Sequence, residues 1–520
     1  MSMKHRWATA ISVCLLLVCA LGSLTVAGSN PAKALSVIVD TTADRSDEAQ
    51  AIVEYLRAVG VLAEVRVWEW SALKERILAG DRQMYLTDWG SAYFDPFDLA
   101  VPKLKTGDRG NYSFYSNPRF DAALDAALAA RDHDARRRAY FEAQKILWAD
   151  VPWVFGYSLR ETEAARADVL DWQPSMDSRM NLHDVGLRRG DTIVVGMASD
   201  GILTLDPAAY RDRDTETVIR NIFDGLVTRT ADGRVVPEIA ESWSAVSDTE
   251  YVFKIRRGIK FHNGDTLTAD DVVFSFDRVI RDGAMGGRTS PRKGLLGPLA
   301  AVEKVDNHTV RFRLSSPFPV LLQALVHVQI VPREYLISVG DDGFARKPVG
   351  CGPFRFVEGR LDDKVVMERF DGYYGGSPDL PPAGPARVKR AIFRMMPDPT
   401  VRVAALKTGE VQIIQKVPAH LAASLARDRN LQVKSAEGTR VYCIEMNCAR
   451  PPFDDVRVRT AMNHAIDWDT ILKTIYVGGA ARLATAFLPS GFGYDAELTP
   501  HSYDPSRARA LLAEAGYGGR

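Results

Sequence analysis

Cysteine is scarce. Five occur in 520 residues, and two of them, Cys14 and Cys19, lie in an apolar run at the N-terminus. The other three, Cys351, Cys443 and Cys448, form an odd, sparse set that is no disulfide framework even in an oxidising compartment. Cys443 and Cys448 stand five apart on an expected strand, VYCIEMN. Extended residues at that spacing are roughly 16 Å apart, too far for a bridge without a sharp turn. Buried free thiols are therefore expected. Net charge is also lacking: 66 basic and 66 acidic residues cancel, so no nucleic acid is implied as partner. Beyond the N-terminal run no segment is long and apolar enough to span a membrane. Repeats and low-complexity tracts are missing as well. The chain has no G-x-S-x-G, no H-E-x-x-H and no P-loop, and His262, His464 and His501 are scattered. These absences argue against an enzyme, a catalytic residue, a cofactor or a metal site.

The composition that remains is ordinary and globular, with 46% hydrophobic and 25% charged residues. A chain this long predicts two or three lobes rather than one core. At its start, Lys4, His5 and Arg6 precede an apolar run from about Trp7 to Leu21, and small residues surround Ala27. Residues 1–27 read as an export signal cleaved near Ala27, which places the protein in the periplasm. An uncleaved anchor helix is the alternative, since the run approaches spanning length. A lipoprotein is disfavoured, because neither Cys14 nor Cys19 follows a small residue as a lipidated cysteine does.

Short β-runs alternate with helical stretches, the pattern of mixed α/β lobes. LSVIVD (residues 35–40) predicts a buried strand and DEAQAIVEYLRA (47–58) an amphipathic helix. AEVRVW (63–68) and MYLTD (84–88) predict further strands, with helices over 71–78, 118–129 and 134–149. The pattern restarts at TIVVGM (192–197), followed by a helix around 217–223. EYVFKIRRG and HTVRFRL predict β-structure between 223 and 352, where Thr268 is placed to cap a helix. A helix over 398–408 should stop at Gly409. The last expected helix, YDPSRARALLAEAGY (503–517), has no strand after it, and the strand that should follow is the one at 35–40.

Several blocks together resemble the family 5 extracellular solute-binding proteins, the dipeptide- and oligopeptide-binding components of ABC importers. They are NIFDGLV (221–227), PEIAESW (237–243), KFHNGDTLTADDVVFSF (260–276), VGCGPF (349–354), FDGYYGG (370–376) and PPFDDVRVRTAMNHAID (451–467). EWSALKERILAGD (69–81), MYLTDWGSAYFDPF, NYSFYSNPRFDAAL and YFEAQKILWADVPW resemble the family's last third. Residues 35–190 thus resemble its C-terminal third and 191–520 its N-terminal two thirds. That order implies a circular permutation, joined at GLRRGDT (186–192) and cut in a helix-to-strand connection.

The resemblance implies a type II periplasmic-binding-protein fold, α/β and circularly permuted, with three lobes. Lobe III would comprise 35–158 and 439–520, lobe I 159–222 and 353–438, and lobe II 223–352. The ligand cleft would lie between lobes I and III, with a hinge near 158 and 438. The implied function is capture of a small solute by lobe closure for an ABC importer, with permease subunits in the inner membrane as partners and a monomeric receptor. A peptide-binding receptor of the same family, or an exported sensor or chaperone module, is the alternative.

Carried over residue by residue, the site implied by the family begins at Asp88-Trp89-Gly90-Ser91-Ala92-Tyr93. Dipeptide-binding relatives place an acid three positions after the Trp to hold the ligand ammonium; here Ala92 stands there. Asp88 and Asp95 are nearby substitutes, although Asp95-Pro96 also reads as a structural turn. Arg45 falls, with a one-residue offset, where relatives carry a carboxylate clamp. Its alternative is a surface pair with Asp47 or Glu48. Trp89, Tyr93, Arg440 and Tyr442 are candidate lining residues, and Ser199, Asp200 and Gly201 a candidate backbone wall. An arginine without the acid suits an organic or aromatic acid better than a short peptide.

Overall fold

The computed structural model describes residues 33–518 except 109, 131, 231, 232, 381 and 382. The expected export signal at 1–27 lies outside the described residues. Among them, no helix is long and apolar enough to cross a membrane. Cys351, Cys443 and Cys448 are free thiols, the first two buried and the third partly so.

The first segment alternates strand and helix: β1 Ser36–Thr42, α1 Ser46–Ala58, β2 Leu62–Trp68, α2 Trp70–Leu78 and β3 Met84–Gly90. Ala49, Ile52, Val53 and Leu56 recur at helical spacing and bury one face of α1. Three helices follow, α3 Phe97–Leu104, α4 Pro118–Ala129 and α5 His133–Asp150. Asn117 caps α4 by accepting from Arg119 N at 2.9 Å, and Pro118 occupies its first turn. β4, Trp153–Arg166, is long, and β5 Thr192–Met197 precedes α6 Arg213–Ile222.

The middle of the chain forms β6 Ala240–Ser247, β7 Glu250–Ile255, α7 Ala269–Ile280, β8 Leu299–Asp306 and β9 Thr309–Leu314. Thr268 and Asp271 form a reciprocal capping box at the start of α7. Then come β10 Phe354–Arg360, β11 Lys364–Arg369, β12 Arg390–Met395 and α8 Pro399–Thr408. Gly409, in the left-handed region at φ 84°, ends α8. Further along come β13 Ile413–Ile414, β14 Leu431–Met446, α9 Val456–Ala465, α10 Trp468–Thr474, β15 Ala480–Arg482 and α11 Pro505–Glu514.

One 11-stranded sheet runs through the molecule in the order β10-β11-β12-β5-β13-β4-β14-β3-β1-β2, with β15 on β4. β1 pairs in parallel with both β2 and β3, as βαβ crossovers require. The central strands β4 and β14 are antiparallel and long enough to belong to both halves. Their register shifts between Glu437 and Val441. A separate four-stranded antiparallel sheet, β6-β7-β9-β8, packs on α7.

The cores follow the sheet. Val39 and Val53 share one with Ile444, Val458 and Leu511, so the two ends of the chain bury each other. Leu226, Phe253, Phe276, Val310 and Phe312 form a second around the small sheet. Val195, Ile219 and Phe393 belong to a third. The ends also meet at the backbone: Lys33 bridges in parallel to Tyr517, and its N–H donates to Gly516 O at 3.2 Å. Arg509 Nη1 donates to Ala58 O at 3.1 Å, and Tyr55 packs edge-on to Tyr503 at 5.5 Å.

Candidate functional site

A cavity of about 900 Å³ opens where β4 and β14 pass between the halves of the sheet. The end of β3 and its loop supply Asp88, Trp89, Gly90 and Ala92, and β14 supplies Arg440 and Tyr442. Opposite stand the first residues of α6, led by Arg213. Glu216, Arg179 and His327 close one end, and Tyr476 borders another.

Of the residues expected at the site, Trp89, Ala92, Arg440 and Tyr442 line this cavity. Trp89 is fixed by its Nε1–H, which donates to Asp98 O at 2.8 Å. The Tyr442 ring stacks on Tyr157 at 5.0 Å with 2° between planes. Arg440 Nη1 pairs with Asp88 Oδ1.

Arg45 is not among the lining residues. It is buried, and both edges of its guanidinium face Glu48, Nε to Oε2 and Nη2 to Oε1, each at 2.8 Å. Nη1 donates to Thr87 O at 3.1 Å. A fork so filled has no edge left for a ligand carboxylate. Glu48 was one of the two alternative partners expected from sequence, but the pair is interior rather than at the surface. Arg45 acts instead from behind the wall: its guanidinium lies 5.3 Å from the Tyr442 ring centroid. Glu48 Oε2 accepts from Tyr157 Oη at 3.1 Å and from Tyr476 Oη at 3.0 Å. The network therefore sets both tyrosine walls.

Tyr93 also leaves the cavity. It is buried in the core around the small sheet, its hydroxyl donating to Leu295 O at 2.5 Å. An aromatic ring in a loop gains more by filling an apolar core than by facing a wet cleft. Ser199, Asp200 and Gly201 form a loop closed on itself, Ser199 Oγ donating to Gly201 O at 2.7 Å. That loop lies against the β10–β11 turn, where Ile202 N donates to Leu361 O at 2.9 Å, and does not line the cavity. Asp95 is taken by Arg136 at 2.7 Å and is structural.

At position 92, where the side chain carries no charge, the contacts are made by the backbone. Ala92 O accepts from His327 Nε2 at 3.1 Å and from Arg229 Nη1 at 3.2 Å. Its N–H, with that of Tyr93 at 3.0 Å, goes to Asp98 Oδ2. Burial pushes the Asp98 carboxyl up to about 6 despite these donors. The loop is thus pinned on both sides.

Sequence reasoning missed the cationic end of the cavity. Asp177 lies between Arg179 and Arg229, and Glu216 faces Arg179, Arg292 and His327. Burial opposes ionisation of Asp177, yet Arg179, Arg229 and Arg213 hold it down at about 2. Burial, reinforced by Arg179, draws Arg229 down to about 9. Arginines outnumber the carboxylates that serve them here. These residues are distant in sequence and carry no shared motif, so only the fold brings them together.

The comparisons with known proteins agree on one grouping. The model of the bacterial extracellular solute-binding proteins, family 5 (middle part), matches residues 234–520, more than half of the chain. The Dipeptide-binding protein of Escherichia coli (strain K12) is 32% identical over 302 residues, covering 54% of this chain and 55% of that protein. The Glutathione-binding protein GsiB of Pectobacterium atrosepticum is 32% identical over 318 residues, covering 60% and 59%. The chain therefore spans little more than half the length of these relatives. Among solved structures, the periplasmic binding protein DppA of Helicobacter pylori, in complex with the peptide STSA, has TM-score 0.52 and 26% identity, covering 63% of this chain and 66% of that one. HbpA2 of Haemophilus parasuis has TM-score 0.54 and 28% identity, covering 63% and 67%.

Proposed function

Because the chain belongs to the bacterial extracellular solute-binding proteins of family 5, we propose that it is the exported receptor of an ABC importer, capturing a small solute by lobe closure. The observation that carries this reading is the cavity of about 900 Å³ walled by both halves of one continuous sheet. A volume of that size matches ligand sites for small molecules. Permease subunits in the inner membrane would be its partners, and the receptor would act as a monomer without covalent chemistry.

The lobes would divide as 35–158 with 439–520, 159–222 with 353–438, and 223–352. The chain order would be a circular permutation of the family's. Two observations support that order. Residues 33 and 517 are backbone neighbours, so a joint there needs no rearrangement. Residues 191–520 make up 330 of the 520, or 63%, the share of this chain that each of the two solved structures covers.

The solute would be an organic acid, with Trp89 and Tyr442 offering an aromatic wall. A dipeptide receptor is the second reading, favoured by the name of the E. coli relative. Against it stands Ala92, whose methyl group gives a ligand ammonium no counter-charge. A thermal-shift screen of aromatic acids, aliphatic acids, metal chelates and free dipeptides decides between them. Acids should raise the midpoint and dipeptides should leave it unchanged. A shift by dipeptides alone would favour the second reading.

A further inference from the structure

Arg213 and Arg440 reach the cavity from opposite walls and end over the same backbone atom. A methyl group on Gly90 would lie 3.3 Å from Arg213 Nη2 and 3.5 Å from Arg440 Nη2. The two nitrogens are thus no farther apart than the sum of those distances. Like charges at such a range repel unless an anion serves both. Arg440 Nη1 has Asp88. Among the described residues, Arg213 Nη2 donates only to neutral oxygens, Ser91 O at 3.1 Å and Thr439 Oγ1 at 2.8 Å. The acid that acts most strongly on it, Asp177, already faces Arg179 and Arg229. Burial, with help from Arg440 and Arg179, shifts Arg213 below the usual arginine range, the direction expected where negative charge is short.

Resting on the reading that this cavity holds the solute, we infer that a carboxylate of the solute seats over Gly90 between Arg213 and Arg440. Arg45 has no part in holding it. A planar carboxylate matches guanidinium edges and draws donors from both walls at once. Arg213 already bonds Thr439 of β14, and a bound carboxylate would add a charged link between α6 and β14, which favours the closed form. Glycine at 90 is what leaves the space, since any side chain would project to the point where the two guanidiniums meet.

The test uses the exported protein and a library of aliphatic and aromatic acids, each paired with its primary amide, together with free dipeptides. Thermal midpoints identify binders, and calorimetry gives their dissociation constants. The expected result is that acids bind and their amides do not. Arg213→Met and Arg440→Met should each weaken the best acid by about tenfold or more, and Gly90→Ala should remove detectable binding. Circular dichroism of each variant checks that it folds, and the acid–amide comparison on the unaltered protein stands even where a variant does not. Amides that bind as well as acids, or arginine variants that bind acids unchanged, would overturn the carboxylate seat and leave the receptor reading intact. A library in which no compound shifts the midpoint would overturn both.

Discussion

The small sheet at 240–314 and the body that holds β1 are made from similar apolar residues at very different distances along the chain. In the small sheet β6 turns directly into β7 and β8 into β9, and Val310, Phe312 and Phe253 meet across neighbouring strands. In the body, Val39 and Val53 pack with Ile444, Val458 and Leu511. The first region can form from a local stretch; the second needs both ends of the chain. A buried charged group in that body, the Arg45–Glu48 pair with Tyr157 and Tyr476, joins residues from 45 to 476. The wall of the cavity therefore depends on the non-local region, and the small sheet grips the 92–93 loop from outside.

The non-local body should lose most stability at Glu48. Glu48→Leu leaves Arg45 buried without its carboxylate and should cost about 3–5 kcal/mol, measured by urea unfolding. Hydrogen exchange should then rise first in α1, α9 and α11. A loss below about 1 kcal/mol would show that the pair behaves as a surface bridge. In the small sheet Val310→Ala should cost about 2 kcal/mol, with lost protection confined to 240–314. Equal loss of protection in α1 would show that the two regions unfold as one.

Glu163 on β4 makes part of the stability depend on pH. Burial pushes its carboxyl up to about 8, although Trp172 Nε1 donates to it at 2.8 Å. The folded chain keeps this proton up to that pH, whereas the unfolded chain releases it near the ordinary glutamate value. The unfolded state binds fewer protons between those limits, so this group's contribution to stability falls as pH rises through the window. From pH 6 to pH 7 the loss attributable to it is about 1.4 kcal/mol. Glu163→Gln should abolish that part, read as the difference between variant and parent denaturation curves. The smallest effect belongs to chain order. A rearranged chain starting at Asp191, with 517 joined to 33, should melt within about 1 kcal/mol of the original. Failure to fold would count against the proposed permutation.

Much of the architecture was legible because local signals agreed with the fold. Pro118–Ala129 and Thr192–Met197 have the expected limits, and Gly409 ends its helix as its left-handed backbone requires. The helix expected at 217–223 starts earlier, at Arg213, because RDTE carries no apolar periodicity while Asp212 still caps it through Thr215 N. That early turn hid Arg213 from the site. Arg45 misled for the opposite reason: an arginine near a family position says nothing of whether a glutamate one helical turn away will fill its fork. Trp70, an aromatic residue in a helix of the resembling blocks, is 44% exposed, since α2 buries only Leu73 and Ile77.

The break in pairing between β4 and β14 has a mechanical meaning. Two plies fastened along their length resist twisting everywhere except at an unfastened gap. Here the gap spans Glu437 to Val441, and Gly438 lies so close to β4 that any side-chain carbon would fall 2.1 Å from Leu159 O. Shear and torsion between the two halves of the sheet should concentrate in these few peptides, where the room around one glycine limits them.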